Sequence, residues 1–292
     1  MKKIAIVDVK GGLGNQLFIL NFIKYLENQN FKVYALCSFY STSQKNSLKT
    51  SKRYLYLNFE SLHIKEAKKF LIIFSNIIKK FHNKQNNLLE KLIKVLLNLL
   101  VNFIHDENFP IKKHSKKIIN LFDGYWQDYS LLQENFSFLN ELKKIPEFEN
   151  ICKENKIIGS TALHIRRKDY LNIKEELSIN YYRDALDFCS KNIKNFHYTI
   201  FTDDVDWVKK NELFNEASNI FEAKDSRTIN DFILFSSYSN FIIANSTYSY
   251  MAAFLFSDEK SIVTTPNPWF KNLKYIDYDK IINPNWYMIN NE

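Results

Sequence analysis

Short apolar runs alternate with longer amphipathic stretches along most of the chain. KIAIVDV is typical of a strand, KGGLGNQ interrupts it, LFILNFIKYLENQN has helical spacing, and FKVYALCSF is again typical of a strand. Strand, glycine loop, helix and strand in this order predict a parallel sheet with a right-handed crossover.

A second alternating series begins near Ile157. Its predicted strands are STALHI, HYTIFT, NIFEA, FIIAN and, as the last, SIVTTP. Its predicted helices are INYYRDALDFCSKN, capped at Ser178 or Asn180, then DDVDWVKKNELF, TINDFILFSSYS and TYSYMAAFLFS. The two series predict an α/β chain of two Rossmann-like domains, residues 1–150 and 151–292.

Residues 65–104 differ from both series and predict a helical insertion at about 65–105. In the second of two predicted helices, a narrow polar stripe through Asn87, Lys91, Lys94 and Asn98 ends at Asn102. Two interpretations stay open, a basic amphipathic helix on a membrane or partner, and a helix pair that covers the core of the first domain.

Composition excludes several classes of protein. A hydrophobic content of 46% with 25% charged residues is that of a globular domain, and no run of about 18 uncharged apolar residues occurs. The N-terminal MKKIAIVDVKGG lacks a signal-peptide pattern. The cysteines Cys37, Cys152 and Cys189 lack metal-ligand spacing, which indicates free buried thiols in a reducing compartment. The net charge of +8 suits an anionic partner or serves solubility alone.

The segment ALHIRRKDY, residues 162–170, carries the strongest chemical signal. Arg166 and Arg167 follow a predicted buried strand, where unpaired guanidinium groups are costly. Their planar donor forks suit phosphate oxygens, so we expect a phosphorylated ligand here, with pairing to Asp169 or helix carboxylates as the alternative. His164 inside the strand is more typical of a packed core residue.

Glycines cluster before the first helix, at Gly11, Gly12 and Gly14. The pattern is neither a dinucleotide fingerprint nor a Walker loop, and it allows close approach of a ligand or simply a tight turn. The amides of Asn15 and Gln16 favour the ligand interpretation.

Two further segments follow predicted strands, FTDD (201–204) and ANSTYSYMAA (244–253). The adjacent acids of FTDD favour a helix cap over a metal site, and Thr202 is better placed to contact a ligand. In the other segment Ser246, Thr247 and Ser249 can cap a helix whose free N–H groups hold phosphate. All these loops follow carboxyl ends of strands, where open α/β sheets bind ligands.

GGLGNQLF, GYWQ, HIRRKDY, FTDD and ANSTYSYMAA, in this order, resemble the bacterial α-1,2-fucosyltransferases of glycosyltransferase family 11. The resemblance implies a GT-B fold with two Rossmann-like domains that face a cleft. It implies transfer of L-fucose with inversion from GDP-β-L-fucose to a galactoside 2-hydroxyl in surface glycan synthesis, without a metal or other cofactor. The first domain is then the acceptor side and the second binds the donor.

Carried over residue by residue, the resemblance places Arg166 on the β-phosphate, Asp231 on guanine and Asn15 near the sugar and pyrophosphate. The acceptor side is Tyr125, Trp126 and Gln127. The predicted donor-binding residues are Gly12, Gly14, Asn15, His164, Arg166, Arg167, Asp169, Thr202, Asp231, Asn245, Ser246 and Thr247.

Arg166 is the predicted catalytic charge stabiliser, and Glu175 or Glu176 is a candidate general base unless these are surface carboxylates. Lys168, Tyr250–Met251 and Ile19–Asn21 depart from the family pattern and leave another GDP-6-deoxyhexose or nucleotide sugar open as donor. A non-enzymatic nucleotide-binding module is the third alternative, and no nucleic-acid motif occurs. The resemblance places the chain in the bacterial cytoplasm, with peripheral contact to the inner membrane face as an option.

Overall fold

The structure is a computed structural model. It describes residues 2–39, 57, 62–83, 91, 95, 97, 99–106, 117–145, 148, 157–223, 229–273 and 278–292. Contacts divide the chain into two compact units, Met1–Trp126 with Leu131–Asn135, and Gln127–Ser130 with Phe136–Glu292. This division falls ahead of residue 150, and the assignment of acceptor and donor to the two halves stays a prediction.

The first unit contains a four-stranded parallel sheet in the order β2-β1-β4-β3. Ala5, Ile6 and Val7 of β1 have no exposed surface, as expected for a parallel strand covered on both faces. Its elements are β1 (Ile4–Asp8), α1 (Leu13–Asn28), β2 (Lys32–Leu36), α2 (Lys69–Asn83), β3 (Val101–His105), β4 (Ile119–Asp123) and α3 (Tyr129–Glu134), which extends across the division.

The region predicted as a helical insertion is helical only in part. Helix α2 lies in it, and residues 91, 95, 97, 99 and 100 are also helical. Val101–His105, by contrast, is strand β3, and Asn102 lies in this strand, where its side chain donates to Asn120 at 3.5 Å. The prediction of helix up to residue 105 is therefore wrong, because Val101 is buried and pairs with β4. Asn87, Lys94 and Asn98 lie outside the described residues.

The second unit contains a six-stranded parallel sheet in the order β10-β9-β8-β5-β6-β7. Counted from its first strand, β5, this is the 3-2-1-4-5-6 order of a Rossmann fold. The elements are α4 (Phe136–Leu142), β5 (Ile157–Ile165), α5 (Lys168–Ile173), α6 (Ile179–Asn192), β6 (His197–Thr202), α7 (Val205–Lys209), β7 (Asn219–Glu222), α8 (Ile229–Ser236), β8 (Tyr238–Ile242), α9 (Thr247–Phe256), β9 (Val263–Asn267) and β10 (Tyr287–Asn290).

The α/β class with two Rossmann-like units, the composition of a GT-B fold, is confirmed. Ser178 caps α6 by accepting from the Tyr181 N–H at 3.2 Å, as the sequence predicts. The helix predicted over DDVDWVKKNELF is instead the short α7 and a 3₁₀ turn, Glu212–Phe214.

The sequence analysis missed β10, which pairs in parallel with β9. Asn291, directly after β10, is buried, and its backbone N–H donates to Asn267 at 3.0 Å. Its side chain accepts from the Ser178 N–H at 3.3 Å and donates to the Pro268 carbonyl at 3.4 Å. These bonds attach the last residues to both β9 and the start of α6.

The described cysteines are free thiols with little nucleophilic character. Cys189 lies in the core of the second unit, where burial raises its pKa to about 12. Burial, and then the carboxylates of Glu66 and Asp8, raise the pKa of Cys37 to about 12. Cys152 lies outside the described residues. None of the helices in the described ranges is long and apolar enough to cross a bilayer.

Candidate functional site

The second sheet has its topological switch point between β5 and β8, which are neighbours in the sheet although β6 and β7 separate them in sequence. Open α/β sheets bind ligands beyond the carboxyl ends of the strands at this point. The arginine segment follows β5, and residues 243–246 follow β8 before α9 begins. The two strongest sequence signals of this half therefore meet at the same edge of the sheet.

Arg166 is largely buried and held by carboxylates. Its guanidinium group pairs with Asp203 at 3.0 Å and with Asp169, and it lies 5.9 Å from the centroid of the Tyr170 ring. Burial alone would lower the pKa of Arg166, but the negative charges of Asp203 and Asp169 outweigh it and raise that pKa. The cation is thus permanent, and its orientation is fixed before any ligand arrives.

Arg167 has a different environment, although it is the next residue. Its guanidinium carbon lies 4.0 Å from the centroid of the Trp207 ring, its Nε donates to Asp204 at 3.2 Å, and its backbone N–H donates to Asp203 at 2.9 Å. Cation–π stacking and an ion pair stabilise the loop. These contacts favour a structural role for Arg167, and its donor-binding role stays a prediction.

Lys168, the departure from the family pattern, is exposed and begins α5. What this departure means for the donor sugar stays a prediction.

Thr202 and Asp204 organise the turn after β6. The hydroxyl of buried Thr202 accepts from the Asp204 N–H at 2.9 Å, and the Asp204 carboxylate caps α7 by accepting from the Trp207 N–H at 3.1 Å. The predicted helix cap is confirmed. In the described ranges no group of three or more histidine, cysteine, aspartate or glutamate residues could hold a metal ion.

The N-terminus of α9 lies at the switch point of the sheet, directly after the turn that follows β8. Ser246 occupies the N-cap position, yet its side chain makes no capping hydrogen bond. Such an end is a ready site for phosphate. Asn245 is buried and its amide donates to the Glu175 carbonyl at 2.8 Å, which fixes the turn that precedes the helix. Thr247 is the first helical residue and is half-buried.

His164 acts from inside the core. It has no exposed surface, its Nδ1 lies 2.7 Å from the Ser249 hydroxyl, and its ring packs near Phe235 and Tyr248. Ser249 also donates toward the Ser246 carbonyl at 3.2 Å. His164 therefore connects β5 to the first turn of α9, and its donor-binding role stays a prediction.

Asp231 lies in the first turn of α8 and is half-buried. Helix α8 packs against α9, and Phe232 beside Asp231 has its ring 5.5 Å from that of Tyr248. Asp231 therefore lies on α8, which contacts α9, the helix whose N-terminus is the candidate phosphate site. Its role in reading guanine stays a prediction.

Glu175 is a buried clamp rather than the surface carboxylate that the sequence analysis allowed. It is 1% exposed, and its two oxygens accept three backbone N–H groups, from Lys271 and Asn272 at 2.7 Å and Leu273 at 2.8 Å. A general base must accept a proton from the substrate, but both oxygens of Glu175 already accept hydrogen bonds from the backbone of residues 271–273. The geometry favours a structural role over the catalytic one expected from sequence.

In the first unit the glycine loop is shorter than predicted, because α1 begins at Leu13. Gly14, Asn15 and Gln16 are thus helical, and of the three clustered glycines only Gly11 and Gly12 lie in the loop, which is residues 9–12. Gly11 has φ +84°, and a Cβ atom there would lie 2.6 Å from the Asn15 amide, so both conformation and space require glycine. Gln16 is buried and its amide donates to the Gly11 carbonyl at 3.3 Å, so it braces the loop instead of meeting a ligand.

The predicted acceptor residues divide into core and surface. Trp126 is 2% exposed and stacks on Phe22 with ring centroids 4.0 Å apart, which favours a position in the core, and its role on the acceptor side stays a prediction. Tyr125 is 37% exposed, and its backbone N–H donates to Asp106 at 2.6 Å. Gln127 is half-buried.

The profile of one protein family, described as Glycosyl transferase family 11, matches residues 4–290. The chain belongs to glycosyltransferase family 11. This family 11 glycosyltransferase therefore uses a nucleotide-sugar donor and a glycan acceptor, and the resemblance drawn from the five sequence motifs is confirmed at the level of the family.

Individual relatives of the family 11 glycosyltransferase are known from Escherichia coli. It is 28% identical over 305 residues to an "Alpha-1,2-colitosyltransferase", with 94% of this chain and 96% of the relative covered. It is 31% identical over 180 residues to the "O-antigen biosynthesis glycosyltransferase WbnK", with 55% of this chain and 59% of the relative covered. Among solved structures, fucosyltransferase NodZ from Bradyrhizobium is 12% identical, covers 87% of this chain and 93% of its own, and superposes with a TM-score of 0.43.

A charged quartet, Asp8, Lys10, Lys79 and Asp123, was missed by the sequence analysis of this glycosyltransferase. It lies where β1 and β4 end, next to the glycine loop, with Lys79–Asp8 at 2.6 Å and Lys10–Asp123 at 2.5 Å. Lys10 also lies 5.1 Å from the centroid of the Tyr125 ring. The available signal was a charged residue directly after each buried strand, but the pairing with Lys79 of α2 could not be read from sequence.

Burial affects the two carboxylates of the charged quartet differently. Burial raises the pKa of Asp8, and the attraction of Lys79 only partly offsets it, so this pKa lies above its ordinary value of 3.8. Burial would also raise the pKa of Asp123, but the hydrogen bond and charge of Lys10 outweigh it and lower that pKa below 3.8. The two groups therefore have opposite effects on the pH dependence of stability.

We expect Asp8→Asn and Asp123→Asn to change the pH dependence of unfolding in opposite directions. The contribution of Asp8 to the free energy of unfolding is fully present below pH 3.8 and is lost as the pH rises through the higher pKa that Asp8 has in the folded protein. The Asp123 contribution is present above pH 3.8 and is lost as pH falls through the lower folded pKa. Urea unfolding of both variants across a pH series measures this. Parallel changes in the two variants would contradict it.

Proposed function

We propose that the protein transfers a 6-deoxyhexose, L-fucose in the first instance, from its GDP-β-linked donor to the 2-hydroxyl of a galactoside, with inversion, during synthesis of a bacterial surface glycan. Membership of glycosyltransferase family 11 supports the reaction class. The observation that carries the donor side is that Arg166, directly after β5, and the N-terminus of α9, after β8, follow the carboxyl ends of neighbouring strands at the switch point of the second sheet.

The reaction requires stabilisation of charge on the leaving group. The acceptor oxygen forms a bond to the anomeric carbon while the bond from that carbon to the β-phosphate oxygen breaks. The electron pair leaves with GDP, and the acceptor proton passes to a base or to solvent. Arg166 and the first N–H groups of α9 face the growing negative charge, and Asp203 and Asp169 orient Arg166 before the reaction begins.

A second donor has support of its own. The colitosyltransferase relative aligns over 94% of this chain, and colitose differs from L-fucose by the absence of the 3-hydroxyl. A pocket that hydrogen-bonds this hydroxyl rejects the deoxy sugar by about 10⁴–10⁵-fold, whereas an apolar pocket rejects the hydroxylated sugar only by about 10²-fold. The ratio of the transfer rates from GDP-fucose and GDP-colitose therefore shows whether the pocket hydrogen-bonds the 3-hydroxyl or is apolar at that position.

The test is a donor panel with the full chain. GDP-fucose, GDP-colitose, GDP-mannose and UDP-galactose are each incubated with β-galactosides, products are detected by mass spectrometry, and the linkage is determined by NMR. We expect transfer from GDP-fucose or GDP-colitose to the 2-hydroxyl, unchanged by EDTA. Transfer from UDP-galactose alone, or GDP binding without transfer to any acceptor, would show that the proposal is wrong.

A further inference from the structure

Helix α2 is apolar on two opposite faces. Its inner face packs Leu71, Ile72, Phe74 and Ile78 against the core of the first sheet, which contains Ile6, Leu36, Val101 and Leu121. This confirms that the helix covers the core. A helix with apolar residues on opposite faces is ordinarily buried on both of them. Helix α2, by contrast, has exposed apolar side chains on its outer face.

The outer face of α2 carries Phe70, Ile73 and Ile77, which are 71%, 53% and 44% exposed. Their i, i+3, i+7 spacing places them in one stripe along the helix. The helical residues Val95, Leu99 and Leu100 are 59%, 70% and 67% exposed, while Leu97 between them packs on the same core as α2. In the described part of the chain, the four most exposed large apolar side chains are Phe70, Leu99, Leu100 and Val95.

Most of the net positive charge of the chain lies in the region of α2. Residues 65–104 contain eight lysines and two glutamates, so they hold a net +6 of the chain's +8. Lys65, Lys68, Lys69, Lys80 and Lys91 are exposed. Exposed apolar side chains among lysines are the pattern of a helix that lies in the headgroup region of an anionic bilayer.

We propose that the exposed face of α2, with the helical residues 95, 99 and 100, docks on the surface of an anionic lipid bilayer. A second copy of the chain is the competing occupant, but a symmetric contact would place one cationic region against another. Lipid phosphates instead pair with the lysines while Phe70, Ile73 and Ile77 enter the acyl boundary. This surface goes beyond the transfer reaction, since Phe70, Ile73 and Ile77 are not part of the candidate site.

Vesicle sedimentation tests the docking surface. The full chain is mixed with vesicles of phosphatidylcholine and phosphatidylglycerol, or of phosphatidylcholine alone. We expect binding to the anionic vesicles that weakens with salt. The triple variant Phe70→Gln, Ile73→Gln, Ile77→Gln should bind at least about tenfold more weakly, and each of Lys65→Gln, Lys68→Gln and Lys69→Gln roughly fivefold more weakly.

The matched control replaces three exposed apolar residues in the second unit, Phe136→Gln, Leu234→Gln and Met288→Gln, which are 50%, 38% and 51% exposed. This control should bind vesicles like the unmodified chain, and both triple variants should keep their melting temperature and their transfer to a soluble acceptor. Absence of binding to anionic vesicles, or equal loss in both triple variants, would overturn the proposal. The proposal would also be overturned if the unmodified chain were a dimer that does not bind vesicles and the α2 triple variant were a monomer.

Discussion

Replacing Arg166 by alanine is expected to lower kcat about 10²–10³-fold. The guanidinium group lies at the switch point of the second sheet, and Asp203 and Asp169 hold it in one orientation. An oriented cation stabilises the leaving phosphate more than it stabilises the bound donor, so kcat should fall more than the KM for the donor rises. Steady-state kinetics with the donor identified by the panel measures both quantities.

Two variants separate this electrostatic role from folding. Arg166→Ala leaves the buried carboxylate of Asp203 without its cation, so the double variant Arg166→Ala, Asp203→Asn should recover stability but not kcat. Lys168→Ala removes the neighbouring exposed cation and should change neither the stability nor kcat. If Arg166→Ala remained folded with unaltered kcat and donor affinity, the assignment of Arg166 would be wrong.

Glu175→Gln is expected to lower the free energy of unfolding by about 1.5–3 kcal/mol. The carboxylate accepts three backbone N–H groups from residues 271–273, and an uncharged amide offers only one oxygen for them. Hydrogen exchange should become faster at these three amides, with little change at the Ser178 cap. Thermal unfolding and hydrogen exchange with mass spectrometry measure both effects.

Glu176→Gln is the matched control for Glu175, because it changes the next carboxyl without touching the clamped loop. It should leave the exchange of residues 271–273 unchanged. A general base behaves differently from a clamp. If Glu175→Gln kept its stability, lost about 10²-fold or more in kcat and lost a pH dependence of the rate, Glu175 would be catalytic after all.

Alternation of apolar strands and amphipathic helices predicted the second unit well, because each strand from β5 to β9 is bounded by a turn signal. The same reasoning failed at β3, since LLNLLVNFI is apolar apart from Asn98 and Asn102, whose spacing also suits a helix, and periodicity cannot separate a buried helix end from a strand here. It failed at β10 as well, because this strand has only four residues, Tyr287–Asn290, and a run as short as that is a weak strand signal.

The candidate site was predicted where its signals are local. Arg166 and Asp169 are three residues apart, and Asp204 caps the helix that follows it. Contacts between distant residues could not be predicted. Glu175 meets a loop almost one hundred positions later, and Asp8 meets Lys79 from another element. The burial of Trp126 could not be predicted either, because an aromatic residue in a motif suits a binding surface and a core equally.

The attachment of Asn291 to β9 and α6 bears on how the protein is handled. Its backbone and side chain bond to Asn267, Pro268 and Ser178, and the ring of Trp286 lies 4.8 Å from that of Tyr250 in α9. Removal of β10 and Asn291 would uncover the edge of β9 and take away the acceptor of the Ser178 N–H at the start of α6. Shortened variants of the second unit should therefore keep both β10 and Asn291.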